Sequence, residues 1–210
     1  MSSLRGGTDP IAATGLRAFA DESSCLRSDT TQEYLIGAVI VDESDCEAIR
    51  DALRPLRMPG QIKPHWTDEG PRRKQKITET IADLGSMHAV VAHLSERRRR
   101  QERFRRKCLE TLYFELCEMG VFDITFESRS SGQDSKDRAH VVSLQNQGLY
   151  QGLRIGHCKG GDDPLLWIPD AVLGAVNASR AGETQYLDCL RESLLIDSRT
   201  PDSLDPLATK

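Results

Sequence analysis

The sequence predicts a single α/β domain built on a mixed sheet, and three observations lead there. Apolar runs of strand length alternate along the chain with segments of helical periodicity. The 210 residues are 38% hydrophobic and 29% charged, enough to bury one core without disulfide or metal staples. Both ends are small, polar and aperiodic, so 1–14 and 197–210 are expected as mobile tails around one domain, 15–196.

Each element follows from local pattern. Residues 16–21, LRAFAD, read as a short first strand, and 34–41, YLIGAVIV, as a buried second one. A helix is expected over 44–57, with Ser44 as N-cap, Glu47 at the capping-box spacing and Pro59-Gly60 as the stop. QIKPHW, 61–66, reads as a short strand before a loop. Ile77, Ile81 and Leu84 at i, i+4, i+7 mark a polar helix over 71–84. HAVVAHL, 88–94, is the next strand, and 96–119 the longest helix, with Gly120 at its C-terminal cap. In FDITFESR, 122–129, Phe122, Ile124 and Phe126 alternate with Asp123, Thr125 and Glu127, the period of a strand. A helix over 134–149, a strand over 153–158 and two helices, 164–181 and 183–196, complete the order.

Composition narrows the function. A formal net charge of −4 argues against wholesale coating of nucleic acid, and no apolar run approaches the roughly 20 residues of a membrane span. The N-terminus lacks the charged-then-apolar layout of a signal peptide. Cys25, Cys46, Cys108, Cys117, Cys158 and Cys189 are scattered without a CxxC pair, as reduced thiols of a cytoplasmic protein would be.

Three carboxylates stand out by position. Asp21 ends the first apolar strand, with Glu22 beside it on the opposite face if the strand continues. Glu127 lies on the polar face of FDITFESR. Asp170 interrupts PLLWIPDAVLGAV, a helix apolar almost all round, where an unpartnered charge costs several kcal/mol and so asks for a partner or a metal. Gly174, one turn on, would admit a close backbone approach. Three acids from two strands and a late helix make a hard, oxygen-rich site of the kind Mg²⁺ or Mn²⁺ takes. Two such ions would serve phosphodiester cleavage.

These segments, in this order, resemble the DUF3800-type proteins of the ribonuclease-H-like superfamily. AFADESSC followed by YLIGAVIV is similar to that family's opening strands. KPHWTDEGPRRKQKI is similar to its short Lys/His-bearing strand and basic helix. FESRSSGQDSKDR and PLLWIPDAVLGAV are similar to its acid-bearing strand and its late helix. The likeness runs from about residue 16 to 180, with Ser24 where the family has Gly and Pro169 where it has Ala. It implies a ribonuclease-H-like mixed sheet flanked by helices. By position it implies Asp21, Glu127 and Asp170 as catalytic, metal-binding acids of a nuclease or phosphodiesterase. The competing reading is a non-catalytic nucleic-acid- or protein-binding module that keeps the fold, either one as a monomer or a homo-oligomer.

Basic residues and histidines fill in the rest. The stretch 96–107 holds eight basic residues against two acids, net +6, which leaves −10 elsewhere. Arg97, Arg98, Arg99, Arg100 and Arg103 are expected as a phosphate-tracking arm for DNA or RNA. The group Arg72, Arg73, Lys74 and Lys76 could join it. Lys63 and His65, on one face of the expected KPHW strand, suit phosphate binding and proton transfer. Glu22 and His157 are the remaining accessory candidates.

Overall fold

The computed structural model describes residues 15–97 and 101–205. Its elements are β1 (Leu16–Leu26), β2 (Thr31–Asp42), α1 (Cys46–Leu53), α2 (Pro71–Ala82), β3 (Met87–Glu96) and α3 (Gln101–Glu118). Then follow β4 (Asp123–Glu127), α4 (Ser131–Asn146), β5 (Arg154–Cys158), α5 (Trp167–Arg180), α6 (Gln185–Leu190) and β6 (Leu194–Arg199). The strands form one six-stranded mixed sheet in the order β5-β4-β1-β2-β3-β6. β1, β2 and β3 are antiparallel neighbours, while β4 runs parallel to β1, β5 to β4 and β6 to β3.

Helices cover both faces, which is why β2 reads as a continuous apolar run: eleven of its twelve residues are buried. On one face Phe19, Leu35, Val39 and Val90 pack with Leu53, Ile81, Leu173 and Tyr186, residues of α1, α2, α5 and α6. On the other, Ala18, Ala20, Ile36, Ile124 and Phe126 pack with Leu109, Leu112 and Leu116 of α3 and Val141 and Leu144 of α4. A Cβ on Gly37 would lie 2.8 Å from Leu173, so the missing side chain in β2 lets α5 settle directly on the sheet.

The mixed sheet flanked by helices is as expected, but five elements differ. β1 does not end at Asp21. The ladder to β2 continues to Leu26↔Gln32, because the buried run of β2 starts at Thr31 and pairs whatever lies opposite, polar or not. The helix expected over 44–57 is shorter, and Asp42 rather than Ser44 caps its lead-in turn, accepting from the Ser44 N–H at 2.9 Å. Pro55 then turns the chain into a 3₁₀ segment, Arg54–Leu56. QIKPHW is not a strand: it crosses the cleft as an irregular strap and enters a 3₁₀ turn at Trp66–Asp68. The long helix starts at Gln101, since β3 extends to Glu96 and pairs with Thr31. Finally, the helix expected over 183–196 resolves into α6 and an edge strand, β6, which carries the sheet to Arg199. Residues 1–14 and 206–210, and Arg98, Arg99 and Arg100 of the expected arm, lie outside the described residues.

Candidate functional site

Register decides which acids meet. Ala20 of β1 pairs with Phe126 of β4, and both side chains point into the α3 core. The next residues, Asp21 and Glu127, therefore point together to the opposite face. Glu127 ends β4, where the sheet opens, and Asp170 reaches the same place from the first turn of α5. All three line one open cleft of about 610 Å³, together with Lys63, His65 and Trp66 from the strap. A second depression of about 500 Å³ shares Lys63, His65 and Glu127 and continues to Lys159 and Gly160.

Three glycines make room for the strap and for the acid that it meets. Ile62 fits over Gly161, the Glu127 carboxylate over Gly160, and the Trp66 indole over Gly174, where a Cβ would lie 2.1 Å from Cγ of the ring. Gly174 thus admits a side chain, not the backbone expected from the sequence. Trp66 also meets Tyr186 edge-on at 5.3 Å, and Lys74 stands 5.1 Å over its ring. Seated this way, the Trp66 N–H donates to Asp170 Oδ2 at 2.9 Å, and His65 Nδ1 lies 3.4 Å from the same oxygen. Lys63 Nζ donates to both oxygens of Glu127, at 2.7 and 2.6 Å.

Three half-buried acids face one lysine, and the protonation of the site reflects it. Burial, then the charge of Glu127, and in smaller part that of Asp170, push Asp21 up to about 7 against the opposing Glu22 N–H and Lys63. Burial opposes the charge on Lys63, yet its hydrogen bonds to Glu127 and the charges of Glu127, Asp170 and Asp21 hold it above the usual lysine value. Burial first, and the partly balanced negative charge around it second, favour the protonated form of Asp21. These oxygens are the donors that a hard divalent cation takes, and a cation would displace that proton.

The accessory candidates separate. Lys63 and His65 join the acids, through the strap rather than a strand. Glu22 points to the far face, where Arg105 Nε bonds it at 2.5 Å, Arg129 Nε lies 3.1 Å away and the Tyr34 hydroxyl donates to it. His157 is on that face too, its Nε2 3.2 Å from Asp137. Asp134, Asp137 and His157 are, among the described residues, the one group of three whose ligand atoms all lie within 4.8 Å of one another. It is an ion-pair network rather than a metal centre, because Arg105 donates to both Asp137 oxygens at 2.5 and 2.8 Å. Burial pushes Asp137 up, but hydrogen bonds from His157 and Arg105 and the nearby charge bring it down to about 2.

The basic stretch also divides. Arg97 is exposed where β3 ends, and Arg103 is exposed on α3, which packs on the face away from the cleft. Arg105 belongs to the buried network, and Lys107 pairs with Asp202. Of the second basic group, Lys74 reaches the cleft. Asn177, missed in the sequence, lines the cleft two turns beyond Asp170; the i+7 spacing along a buried helix was the available signal.

No family model matches the chain, and no curated protein matches it. Among solved structures it is similar to the PCNA:RNase HII complex from Archaeoglobus fulgidus, at 14% identity and TM-score 0.46, covering 87% of this chain and 83% of that one. It is similar to ribonuclease H2 from Pyrococcus horikoshii OT3 at 14% identity and TM-score 0.44, covering 81% and 75%. Bst-RNase HIII in complex with Mn²⁺ follows at 10% identity and TM-score 0.35, covering 79% and 55%. The fold is a six-stranded mixed sheet flanked by helices. Three antiparallel strands followed by parallel additions beside β1, with helices on both faces, define it here.

Proposed function

We propose that this DUF3800-like chain is a divalent-metal-dependent nuclease or phosphodiesterase acting on nucleic acid, with Asp21, Glu127 and Asp170 as its metal-binding, catalytic acids. One observation carries the reading: acids from β1, β4 and α5, remote in sequence, line the same open cleft, with Asp21 raised to about 7 by burial first and by the neighbouring acids second. The donor set suits Mg²⁺ or Mn²⁺, which when bound would activate water and offset charge on a phosphodiester.

The chain's own residues have distinct parts in this reading. The Trp66 N–H and His65 orient Asp170, and Lys63 balances Glu127 and stands ready to meet a phosphate oxygen. His65, 47% exposed at the cleft, can pass a proton to a leaving oxygen. Arg97 and Arg103, both exposed, would add phosphate contacts outside the cleft. The second reading, a binding module without turnover, draws on Lys63, whose hold on both Glu127 oxygens does in part what a cation would do.

Asp170→Asn tests the choice. With Mg²⁺ or Mn²⁺ at equal concentration, cleavage of single- and double-stranded DNA and RNA should fall at least 100-fold while the fold survives. Wild-type protein that cleaves none of these would favour the binding module. Undiminished cleavage by the variant would remove Asp170 from the site.

A further inference from the structure

Beyond the acids, at the far end of α5, Glu33 of β2 is 2% exposed and faces three arginines. Arg27 Nε, from the β1–β2 turn, bonds Glu33 Oε2 at 2.7 Å. Arg180, the last residue of α5, pairs with the same oxygen, and Arg199, at the end of β6, reaches Oε1 at 3.5 Å. One buried carboxylate is thus surrounded by three guanidiniums, a local charge of +2 in a chain whose net charge is −4. Neutralising Glu33 alone does not call for a third arginine. The cost of crowding shows at Arg180, whose pKa is lowered by burial, with the charges of Arg27 and Arg199 adding to it against Glu33. While Glu33 is closed off, the side chains of Arg27, Arg180 and Arg199 are 19%, 23% and 36% exposed, so each keeps part of its surface open to solvent.

The cluster is joined to the cleft. Arg27 Nη2 donates to Asn177 Oδ1, and Asn177 Nδ2 donates to Ser23 Oγ at 3.2 Å; both Asn177 and Ser23 line the cleft. Ten residues of α5 separate Asp170 from Arg180, about 15 Å at a rise of 1.5 Å per residue. At ~3.4 Å of axial rise per phosphate, the spacing of a strand stacked as in a duplex, that is roughly four nucleotide steps.

We propose that Arg27, Arg180 and Arg199 form an anion subsite that grips a backbone phosphate of a nucleic-acid strand lying along α5, about four nucleotides from the acids. Naming nucleic acid as the anion's source rests on the function proposed above; the subsite itself rests on the arginines. Guanidiniums suit this task because their paired N–H groups match phosphate oxygens.

The test uses 12-nucleotide single-stranded DNA and RNA, followed by fluorescence anisotropy in EDTA across a salt series. Arg27→Gln and Arg199→Gln should each lower the log–log salt slope by about 0.7, weakening binding about fivefold at 0.1 M salt. Glu33→Gln should tighten binding, since it adds one unit of positive charge. Mn²⁺ binding, read from tryptophan emission, should be unchanged in the two arginine variants. Wild-type protein with no oligonucleotide affinity, or folded arginine variants with unchanged slope, would overturn the proposal. So would variants that lose thermal stability alone, since the arginines would then serve only as counter-ions of Glu33. Arginine-dependent binding without Mn²⁺-dependent cleavage would leave the subsite standing and sink the nuclease reading.

Discussion

Asp21→Asn offers the most direct measure of the charge crowding in the cleft. The carboxyl of Asp21 titrates near 7 in the folded chain, against 3.8 when unperturbed. Between these values the folded protein holds a proton that the unfolded chain has released, so stability falls as pH rises through the window and is lowest above pH 7. From pH 5 to pH 7 the change spans two pH units, about 3 kcal/mol at ~1.4 kcal/mol per unit. Asn keeps the shape and a polar head but carries no charge. Urea unfolding in EDTA should therefore show the variant gaining about 3 kcal/mol over wild type at pH 8 relative to their difference at pH 5. Comparing the two proteins at each pH cancels the titrating groups that lie away from the cleft. Adding Mn²⁺ at pH 8 should raise the wild-type midpoint, by about 2.7 kcal/mol at a hundredfold excess over Kd, and leave the variant nearly unmoved. An equal stability difference at both pH values would refute the idea that buried, crowded carboxylates set the state of this site.

Two further substitutions probe how the site is built and what limits the fold. Gly174→Ala would place a methyl group 2.1 Å from the Trp66 ring, so the strap must lift; a loss of about 1–3 kcal/mol in denaturant unfolding, a shifted tryptophan emission and weaker Mn²⁺ binding are expected. His88 is 0% exposed, and neither ring nitrogen has a partner among the described residues; burial depresses it to about 4. The unfolded chain protonates first as pH falls, so wild-type stability should drop by up to about 3 kcal/mol between pH 6.5 and 4. His88→Leu should abolish that drop relative to wild type, and a retained drop would assign acid sensitivity elsewhere.

The sequence by itself determined the alternation of strands and helices, because the period of apolar residues reports which side of an element is buried. It placed Glu127 on the polar face of FDITFESR for the same reason, and it marked Asp170 by its isolation in an apolar helix. Local pattern failed where a partner decides the conformation. β6 forms because β3 offers an open parallel edge, and β1 runs past Asp21 because β2 starts at Thr31. QIKPHW leaves the sheet because its side chains find Gly161 and Gly174, positions that lie about 100 residues away. By charge alone Arg105 is one more basic residue of the 96–107 stretch, yet it is buried against Glu22 and Asp137; charge does not say which arginine has an acid waiting inside. Glu33 and its three arginines come from β1–β2, α5 and β6, and no stretch of sequence holds more than two of them close together. Periodicity fixes which face a residue occupies, while register and packing between distant elements fix which residues share a site.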